Sequence, residues 1–188
     1  MNEIILASAS PRRQELVKQM GLNCIILPQN VDETFESYNA EEEAVRIAQK
    51  KAESCKISDR WVFAADTFIE QDGKLIGKPS NREEAKIMLQ NFSGCTHSVI
   101  TGLALKAPLR TIQTAICRTD VIFTEMTNDE IDWYLNTEEW KGVAGAYRIQ
   151  GKGAFFIESL KGSYSNVMGL PIRTFYGMLK SNNFNFRS

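Results

Sequence analysis

The pattern of apolar and polar positions along the chain predicts an alternation of strands and helices. Apolar runs of strand length predict six strands, at residues 4–7, 24–27, 61–65, 97–105, 111–125 and 155–160. Helical periodicity and capping signals predict five helices, at residues 11–20, 40–56, 81–92, 128–135 and 171–180. Asp72 and Gly73 predict a tight hairpin turn within residues 68–76. Strands that alternate with helices and include a hairpin predict a mixed α/β sheet.

Local signals predict where several of these elements begin and end. Ser80 and Thr127 each precede a glutamate by three residues and so predict capping boxes that open two helices. The strand at residues 61–65 is predicted to stop at Asp66 because a charged residue interrupts its apolar run. The glycine-rich residues 142–153 are predicted to form a loop.

The amino-acid composition indicates which broad class of protein the chain belongs to. The chain has 188 residues, which suits a single domain over residues 1–188 or two tightly joined lobes. Apolar residues make up 43% and charged residues 24%, the balance of a folded soluble protein. The formal net charge of -1 shows no basic excess, which argues against a nucleic-acid partner. No apolar stretch approaches the roughly 20 residues of a membrane span, so no membrane partner is predicted.

Cysteine and histidine usage narrows the chemistry further. His97 is the single histidine, and the cysteines form no C-x-x-C pair, so a zinc site is disfavoured. Without a recognisable leader sequence, reduced thiols and a cytoplasmic location are the expectation. The four cysteines are widely spaced, at Cys24, Cys55, Cys95 and Cys117.

The start of the first predicted helix carries two adjacent arginines, Arg12 and Arg13, after Pro11. A helix N-terminus has partial positive charge and normally favours acidic neighbours, so this placement suits a docked anion. The hydroxyls of Ser8 and Ser10, free backbone N–H groups and a guanidinium would together bind a phosphate. Two solvated arginines beside a turn are the alternative, and spacing leaves both interpretations open.

Lys51, Asp66 and Glu33 are the charged positions that stand out against their surroundings. Lys51 falls near the centre of the apolar stripe of its helix, where a lysine must either extend to water or meet an anion. Asp66 follows a buried strand, where α/β folds commonly place their sites, although a loop-capping aspartate fits equally well. Glu33, next to Asp32, fits a solvated loop when taken alone.

Lys78, within Gly77-Lys78-Pro79, supplies a further cation just before a predicted helix. This segment is no Walker A loop, because G-x-x-x-x-G-K-[ST] is absent from the chain. No G-x-G-x-x-G motif opens a helix after a strand either, which disfavours a Rossmann cofactor site. The ordinary P-loop and dinucleotide-binding classes are thereby disfavoured.

An ordered series of short motifs resembles the Maf family of nucleotide pyrophosphatases. Any one of these motifs is weak evidence, but together they run in order over nearly the whole chain. They lie at residues 6–13 (LASASPRR), 31–33 (VDE), 51–52 (KA), 65–67 (ADT), 77–79 (GKP), 93–94 (SG) with 96–97 (TH), 144–147 (AGAY), 149–151 (IQG) and 163–171 (SYSNVMGLP).

The resemblance implies roles for particular residues. Asp66 would be the general base that activates water, and Glu33 and Asp66 would help to hold a divalent metal, Mg²⁺ or Mn²⁺. Arg12, Lys51 and Lys78 would bind the triphosphate. Thr67 and Gln150, with Arg12, match positions tied to substrate choice, and the motifs resemble the branch that acts on dTTP and UTP.

The resemblance also implies an architecture and an assembly. The fold would be an elongated, twisted mixed sheet flanked by helices, in two lobes with a central cleft, as in Maf and ITPase-like proteins. A homodimer would be a common assembly. The products would be a nucleoside monophosphate and pyrophosphate, with modified pyrimidine nucleotides as further substrates.

Four positions depart from the family pattern, and two other functions stay open. Arg148 stands where the family commonly has glycine, Cys95 replaces a usual basic residue, and Gly142-Val143 replaces a frequent Asp-Lys pair. Arg148 is two residues from Gln150 and puts the base preference in doubt. The alternatives are a non-catalytic nucleotide-binding regulator of septum formation and cell division, and a pyrophosphatase that prefers 7-methyl-GTP.

Overall fold

The computed structural model of the protein describes residues 3–34 and 39–186. Seven strands are present, β1 Ile4–Leu6, β2 Cys24–Ile26, β3 Trp61–Gln71, β4 Lys74–Ile76, β5 Thr96–Lys106, β6 Ile112–Phe123 and β7 Ile157–Lys161. The α-helices are α1 Pro11–Gln19, α2 Ala40–Ser54, α3 Arg82–Phe92, α4 Asn128–Asn136, α5 Tyr164–Val167 and α6 Ile172–Ser181. Two short 3₁₀ helices lie at Ala144–Ala146 and Lys152–Phe156.

All seven strands belong to one mixed sheet, as the alternation of elements predicted. The strand order is β2-β1-β3-β5-β6-β7, and β4 pairs with β3 beside this series. β1 is parallel to both β2 and β3, whereas β4 is antiparallel to β3 and β7 is antiparallel to β6. The expected twisted sheet with flanking helices is confirmed.

The described chain divides into two compact units. The first is formed by Met1–Thr67, Thr101–Cys117 and Gly169–Ser188, and the second by Phe68–Ile100 and Arg118–Met168. The long strands β3, β5 and β6 contribute residues to both units. The single domain over residues 1–188 and the central cleft stay predictions, and residues 1–2, 35–38 and 187–188 lie outside the described part.

In the first unit, helix α2 packs closely on the sheet. Its small side chains Ala48 and Ala52 join a buried cluster with residues of β1, β3 and β5, including Ile5 and Val62. Gly102 in β5 makes this approach possible, because a Cβ there would collide with the backbone of Ala44 in α2. The close contact fixes the helix that carries Lys51 relative to the strands.

In the second unit, a cluster of rings packs around the single histidine. His97 stacks on Phe92 with ring centroids 4.1 Å apart, and the rings of Phe123 and Tyr147 meet it edge-on. We call these four residues the aromatic cluster. Its members come from α3, β5, β6 and the segment after α4, so the rings join these segments in one core.

The strand that contains Asp66 is longer than predicted. The apolar run predicted a strand that stops at residue 65, but β3 continues to Gln71. The parallel partner β1 pairs only with residues 61–63 of β3, and beyond this point β4 pairs with residues 69–71. β3 therefore continues past Asp66 because β5 on its other side and β4 from residue 69 onward supply strand partners, which a run of apolar residues does not reveal.

The other local signals were accurate to within a few residues. The hairpin is confirmed, with Asp72 and Gly73 both at positive φ between β3 and β4. The capping box of Thr127 is confirmed, but α3 is capped by Asn81 and not by Ser80. The short helix α5 and the two 3₁₀ helices within the predicted 142–153 loop and at its end were not predicted. Within the described residues, every helix is too short or too polar to cross a bilayer.

Candidate active site

The ammonium group of Lys51 is the centre of a charged cluster in the first unit. Lys51 Nζ lies 2.6 Å from Asp66 Oδ1 and 2.7 Å from Glu33 Oε1. The residue is buried, with 7% of its surface exposed, as its place on the apolar stripe of α2 predicted. Of its two possible fates, meeting an anion is therefore the one that the structure shows. We call Lys51, Asp66 and Glu33 the ionic cluster.

The two carboxylates reach Lys51 from very different segments. Asp66 stands in β3 three residues after Phe63, whose carbonyl accepts a 2.8 Å hydrogen bond from the N–H of Ala7, the residue that follows β1. Its side chain is only 13% exposed, whereas that of Glu33 is 56% exposed. Because both oxygens touch one nitrogen, the two carboxylates lie close together at the surface of the first unit.

Arg13 is the second buried cation of the first unit. Its Nε donates to Gly169 O at 2.8 Å, Nη1 to Ser8 Oγ at 3.1 Å and Nη2 to Thr67 Oγ1 at 2.9 Å. Burial lowers the pKa of its guanidinium, and the negative charges of Asp66 and Glu33 oppose that shift. Arg13 therefore ties together the turn after β1, strand β3 and the segment before α6.

The start of α1 has the geometry predicted from Pro11. Ser10 is the N-cap and Pro11 the first helical residue, but the Ser10 side chain makes no capping hydrogen bond. The hydroxyl of Ser8 accepts instead from the Ser10 backbone N–H at 3.3 Å and from Arg13. No acidic residue stands in the first turn, and Arg12 is half-buried. A phosphate at this helix start stays a prediction.

The carboxylates of Glu33 and Asp66 suit a hard cation, although they are only two ligands. Carboxylate oxygens are the protein ligands that Mg²⁺ and Mn²⁺ prefer, and Mg²⁺ is commonly held by one or two carboxylates together with substrate phosphates and water. Within residues 3–34 and 39–186, no group of three or more acidic, cysteine or histidine side chains is arranged to hold a metal. Glu33 and Asp66 thus fit a cation shared with a polyphosphate and do not form a closed metal cage.

Lys78 and Gln150 belong to the second unit, and both are exposed. The loop of Lys78 is fixed by the hydrogen bond from Gly145 N to Gly77 O at 3.0 Å. The guanidinium of Arg148 donates to the carbonyls of residues 139 and 141, at 2.8 and 3.1 Å. Arg148 therefore braces the loop that carries Gln150, which accounts physically for its presence where a glycine is common.

Comparison with known proteins decides the family. Residues 3–182 match the sequence profile of the family described as Maf-like protein. The chain belongs to the Maf-like protein family. The ordered motifs along the sequence predicted this membership.

Curated relatives of this Maf-like protein share about two-fifths of its residues. A Bacillus anthracis protein named dTTP/UTP pyrophosphatase is 43% identical over 186 residues, which cover 97% of this chain and 97% of the relative. Proteins of the same name from Syntrophus aciditrophicus and Pyrococcus furiosus are each 42% identical, covering 95% and 92% of this chain and 89% and 91% of the relatives.

Solved structures support the fold of the Maf-like chain. The Staphylococcus aureus Ham1 protein has a TM-score of 0.55 at 16% identity, and the alignment covers 97% of this chain and all of that one. The HAM1 protein from Coxiella burnetii has a TM-score of 0.54 at 13% identity, covering 96% of this chain and 100% of that chain. At such low identity, these matches concern the fold alone.

Two residues of the Maf-like site were missed by sequence reasoning. Thr101 is fully buried in β5, and its hydroxyl lies 3.0 Å from Thr67 Oγ1. Gly169 contributes its carbonyl to Arg13. A polar residue within the apolar run 97–105 was an available signal for Thr101, whereas a backbone carbonyl carries no sequence signal.

Proposed function

We propose that this protein hydrolyses nucleoside triphosphates between the α- and β-phosphates, with dTTP and UTP as substrates. The ionic cluster carries the proposal, because it combines a buried cation with two carboxylates at the surface of one unit. The relatives named dTTP/UTP pyrophosphatase support the same activity and the choice of nucleotides. The products are a nucleoside monophosphate and pyrophosphate.

Asp66 is proposed as the proton acceptor. The oxygen of a water forms a bond to the α-phosphorus, the bond from that phosphorus to the bridging oxygen breaks, and its electron pair leaves with pyrophosphate. The proton of the water passes to Asp66, directly or through a second water. Lys51 occupies Asp66 Oδ1, and among the described residues no protein group engages Oδ2, which leaves that oxygen for the water. Lys51 thereby orients the base.

Glu33 and Asp66 are proposed to hold a divalent cation, Mg²⁺ or Mn²⁺, together with the substrate. When bound, such a cation neutralises charge on the phosphates and lowers the pKa of a nearby water. The ammonium of Lys51 balances one of the two carboxylates in the free protein, so the pair is not left as two uncompensated charges.

The remaining predicted site residues have proposed roles in binding. Arg12, Lys78 and the Ser8 hydroxyl are proposed to bind the triphosphate and so to offset its negative charge. Thr67 and Gln150, with Arg12, are proposed to govern the choice of base. Support comes from the family motifs at these positions.

Isotope labelling tests both the reaction and the point of attack. The purified chain is incubated with dTTP, UTP, CTP, GTP, ATP or 7-methyl-GTP and Mg²⁺ or Mn²⁺ in water enriched in oxygen-18. We expect equal amounts of monophosphate and pyrophosphate from dTTP and UTP, with the label in the monophosphate. Label in pyrophosphate would mean attack at the β-phosphorus, and diphosphate with inorganic phosphate would mean a different enzyme.

The same samples distinguish the two alternatives. Nucleotide binding by calorimetry without any turnover would replace the proposal by a non-catalytic regulator. Turnover confined to 7-methyl-GTP would keep the reaction and change the substrate. The Asp66→Asn variant is the control for contaminating phosphatases, because it should bind nucleotide but release pyrophosphate at least about 100-fold more slowly.

A further inference from the structure

Helix α2 contains an ion pair between a fully buried carboxylate and a partly exposed guanidinium, and the proposed reaction does not use it. The side chain of Glu43 is 0% exposed, and its Oε2 accepts from Arg46 Nε at 2.8 Å and from Arg46 Nη2 at 2.6 Å. Taking a carboxylate out of water is costly, and a buried pair often adds little net stability over apolar residues of the same size. A role other than stabilising the helix therefore explains this ion pair better.

The same guanidinium also holds the segment that carries Glu33. Arg46 Nη2 donates to Thr34 O at 2.6 Å, one residue after Glu33. On the other side of Glu33, Asp32 Oδ1 accepts from both the backbone N–H and the hydroxyl of Thr34, at 2.9 and 2.5 Å. The backbone around Glu33 is thus tied to α2 at one point and closed into a local turn at the other.

Glu33 needs such support because little else constrains it. Residues 27–34 form neither helix nor strand, and its side chain is 56% exposed. In the described part of the chain, the contact of this side chain is the ion pair with Lys51. Arg46 and Lys51 both belong to α2, so one helix supplies the anchor for the backbone and the ammonium for the side chain.

We propose that the Glu43–Arg46 pair is a positioning device that holds residues 32–34 against α2, so that Glu33 meets Lys51 and Asp66. The inference rests on the proposed hydrolysis, in which Glu33 acts. The buried carboxylate fixes the guanidinium, and the guanidinium fixes the Thr34 carbonyl. A lysine at position 46 has no fork to serve both acceptors in this geometry, so it should not replace the arginine.

A double-mutant cycle tests whether Arg46 acts through Glu33. We expect Arg46→Met to lower kcat by about 10- to 100-fold, as loss of an orienting partner typically does, with KM for dTTP changed by less than about threefold. In the Glu33→Gln background, Arg46→Met should cause no further loss, because residues that act as a unit are not additive. Multiplied losses in the double variant would overturn the proposal.

A double substitution of Glu43 and Arg46 distinguishes loss of the anchor from misfolding. Arg46→Met alone leaves a buried charge, whereas Glu43→Met with Arg46→Met removes both charges and should fold stably. This paired variant should still lose kcat to the same extent, because the Thr34 carbonyl is released. Full activity in the paired variant would contradict the proposal.

Hydrogen exchange gives a readout that does not depend on turnover. The amide of Thr34 should exchange at least tenfold faster in the paired variant, while amides of β3 keep their protection. Arg60→Met is the matched control, because it breaks the exposed pair of Arg60 with Glu3 elsewhere on the first unit and should change neither exchange nor kcat. Unchanged exchange at Thr34 would overturn the proposed anchoring of residues 32–34 by Arg46, even if the wild-type protein proved inactive. An inactive wild-type protein with faster exchange at Thr34 in the paired variant would reject the proposed hydrolysis but not the anchoring.

Discussion

The ionic cluster and the aromatic cluster bury ionisable groups in opposite ways. In the first unit, the ammonium nitrogen of Lys51 lies 2.6 and 2.7 Å from oxygens of two carboxylates. In the second unit, His97 is packed between rings, its Nε2 lies 2.8 Å from the Tyr147 hydroxyl, and no described residue hydrogen-bonds to Nδ1. Burial lowers the pKa of His97 to about 4, although Asp120 opposes the shift.

This contrast distinguishes a cluster suited to chemistry, the ionic cluster, from one that serves packing, the aromatic cluster. A histidine that stays neutral behaves as another ring of the core, and burial raises the pKa of Tyr147 as well, so its hydroxyl also stays neutral. The ionic cluster instead brings a buried ammonium group against two carboxylates from other segments, with Arg13 nearby. A buried cation paired with carboxylates is a stronger indicator of a functional site in this molecule than a buried histidine packed among rings.

The largest expected effect is the loss of activity in Asp66→Asn. Asparagine keeps the size of the side chain and still accepts from Lys51, but it cannot take a proton from water. We expect kcat for dTTP to fall by about 10²- to 10⁴-fold, the usual contribution of a general base. Pyrophosphate release under substrate saturation measures it, and wild-type kcat would remove Asp66 from the mechanism.

Removal of the central cation should act on stability as well as on activity. Lys51→Met leaves Glu33 and Asp66 facing each other without compensation. We expect a loss of about 2–3 kcal/mol in the free energy of unfolding, below the usual figure for a broken buried pair because Glu33 is half-exposed.

Lys50→Met is the matched control for that measurement. Lys50 precedes Lys51 on α2 and is half-buried outside the ionic cluster, so its replacement should change stability by less than about 1 kcal/mol, the usual limit for a partly exposed charge. Denaturant unfolding of both variants makes the comparison. Equal losses would show that the ionic cluster contributes no more than an ordinary surface charge.

The aromatic cluster predicts a dependence of stability on pH. Because the pKa of His97 is about 4 in the fold and 6.5 for an unperturbed histidine, the unfolded chain takes up the proton first as pH falls. Stability should therefore be complete above pH 6.5, fall through the range down to pH 4, and lose about 2 kcal/mol from this group by pH 5.

A paired substitution isolates this contribution. His97→Phe with Tyr147→Phe removes both hydrogen-bonding partners, so neither is left unsatisfied in the core. Unfolding free energies at pH 7 and pH 5 are compared with those of the wild type. The paired variant should lose less stability on acidification, and an identical loss would mean that His97 is accessible to protons in the fold.

The smallest expected effect concerns Arg13, which lies beside the ionic cluster. Arg13→Lys keeps the charge but cannot serve Ser8, Thr67 and Gly169 together. We expect about a tenfold loss in kcat with little change in KM, the result for a residue that orients others. A rise in KM alone would instead support the sequence-based prediction that Arg13 binds substrate.

Local sequence patterns predicted much of the fold and part of the site. Helical periodicity placed Lys51 on the buried face of α2, and Asp72-Gly73 predicted the hairpin, because both features depend on residues close in sequence. They did not reveal which of two adjacent arginines turns inward. Arg12 and Arg13 are one position apart on the same helix, and only the acceptors around Arg13 distinguish them.

What the sequence alone determined was the alternation of elements, their approximate ends and the family, all of which follow from short-range order and ordered motifs. The tertiary structure decided that β3 runs through Asp66, since that depends on the strand partners beyond the end of β1. It also decided that Glu33, Lys51 and Asp66 meet, because they come from a loop, a helix and a strand. Contacts between such separate segments are set by packing of the whole unit, which no local pattern encodes.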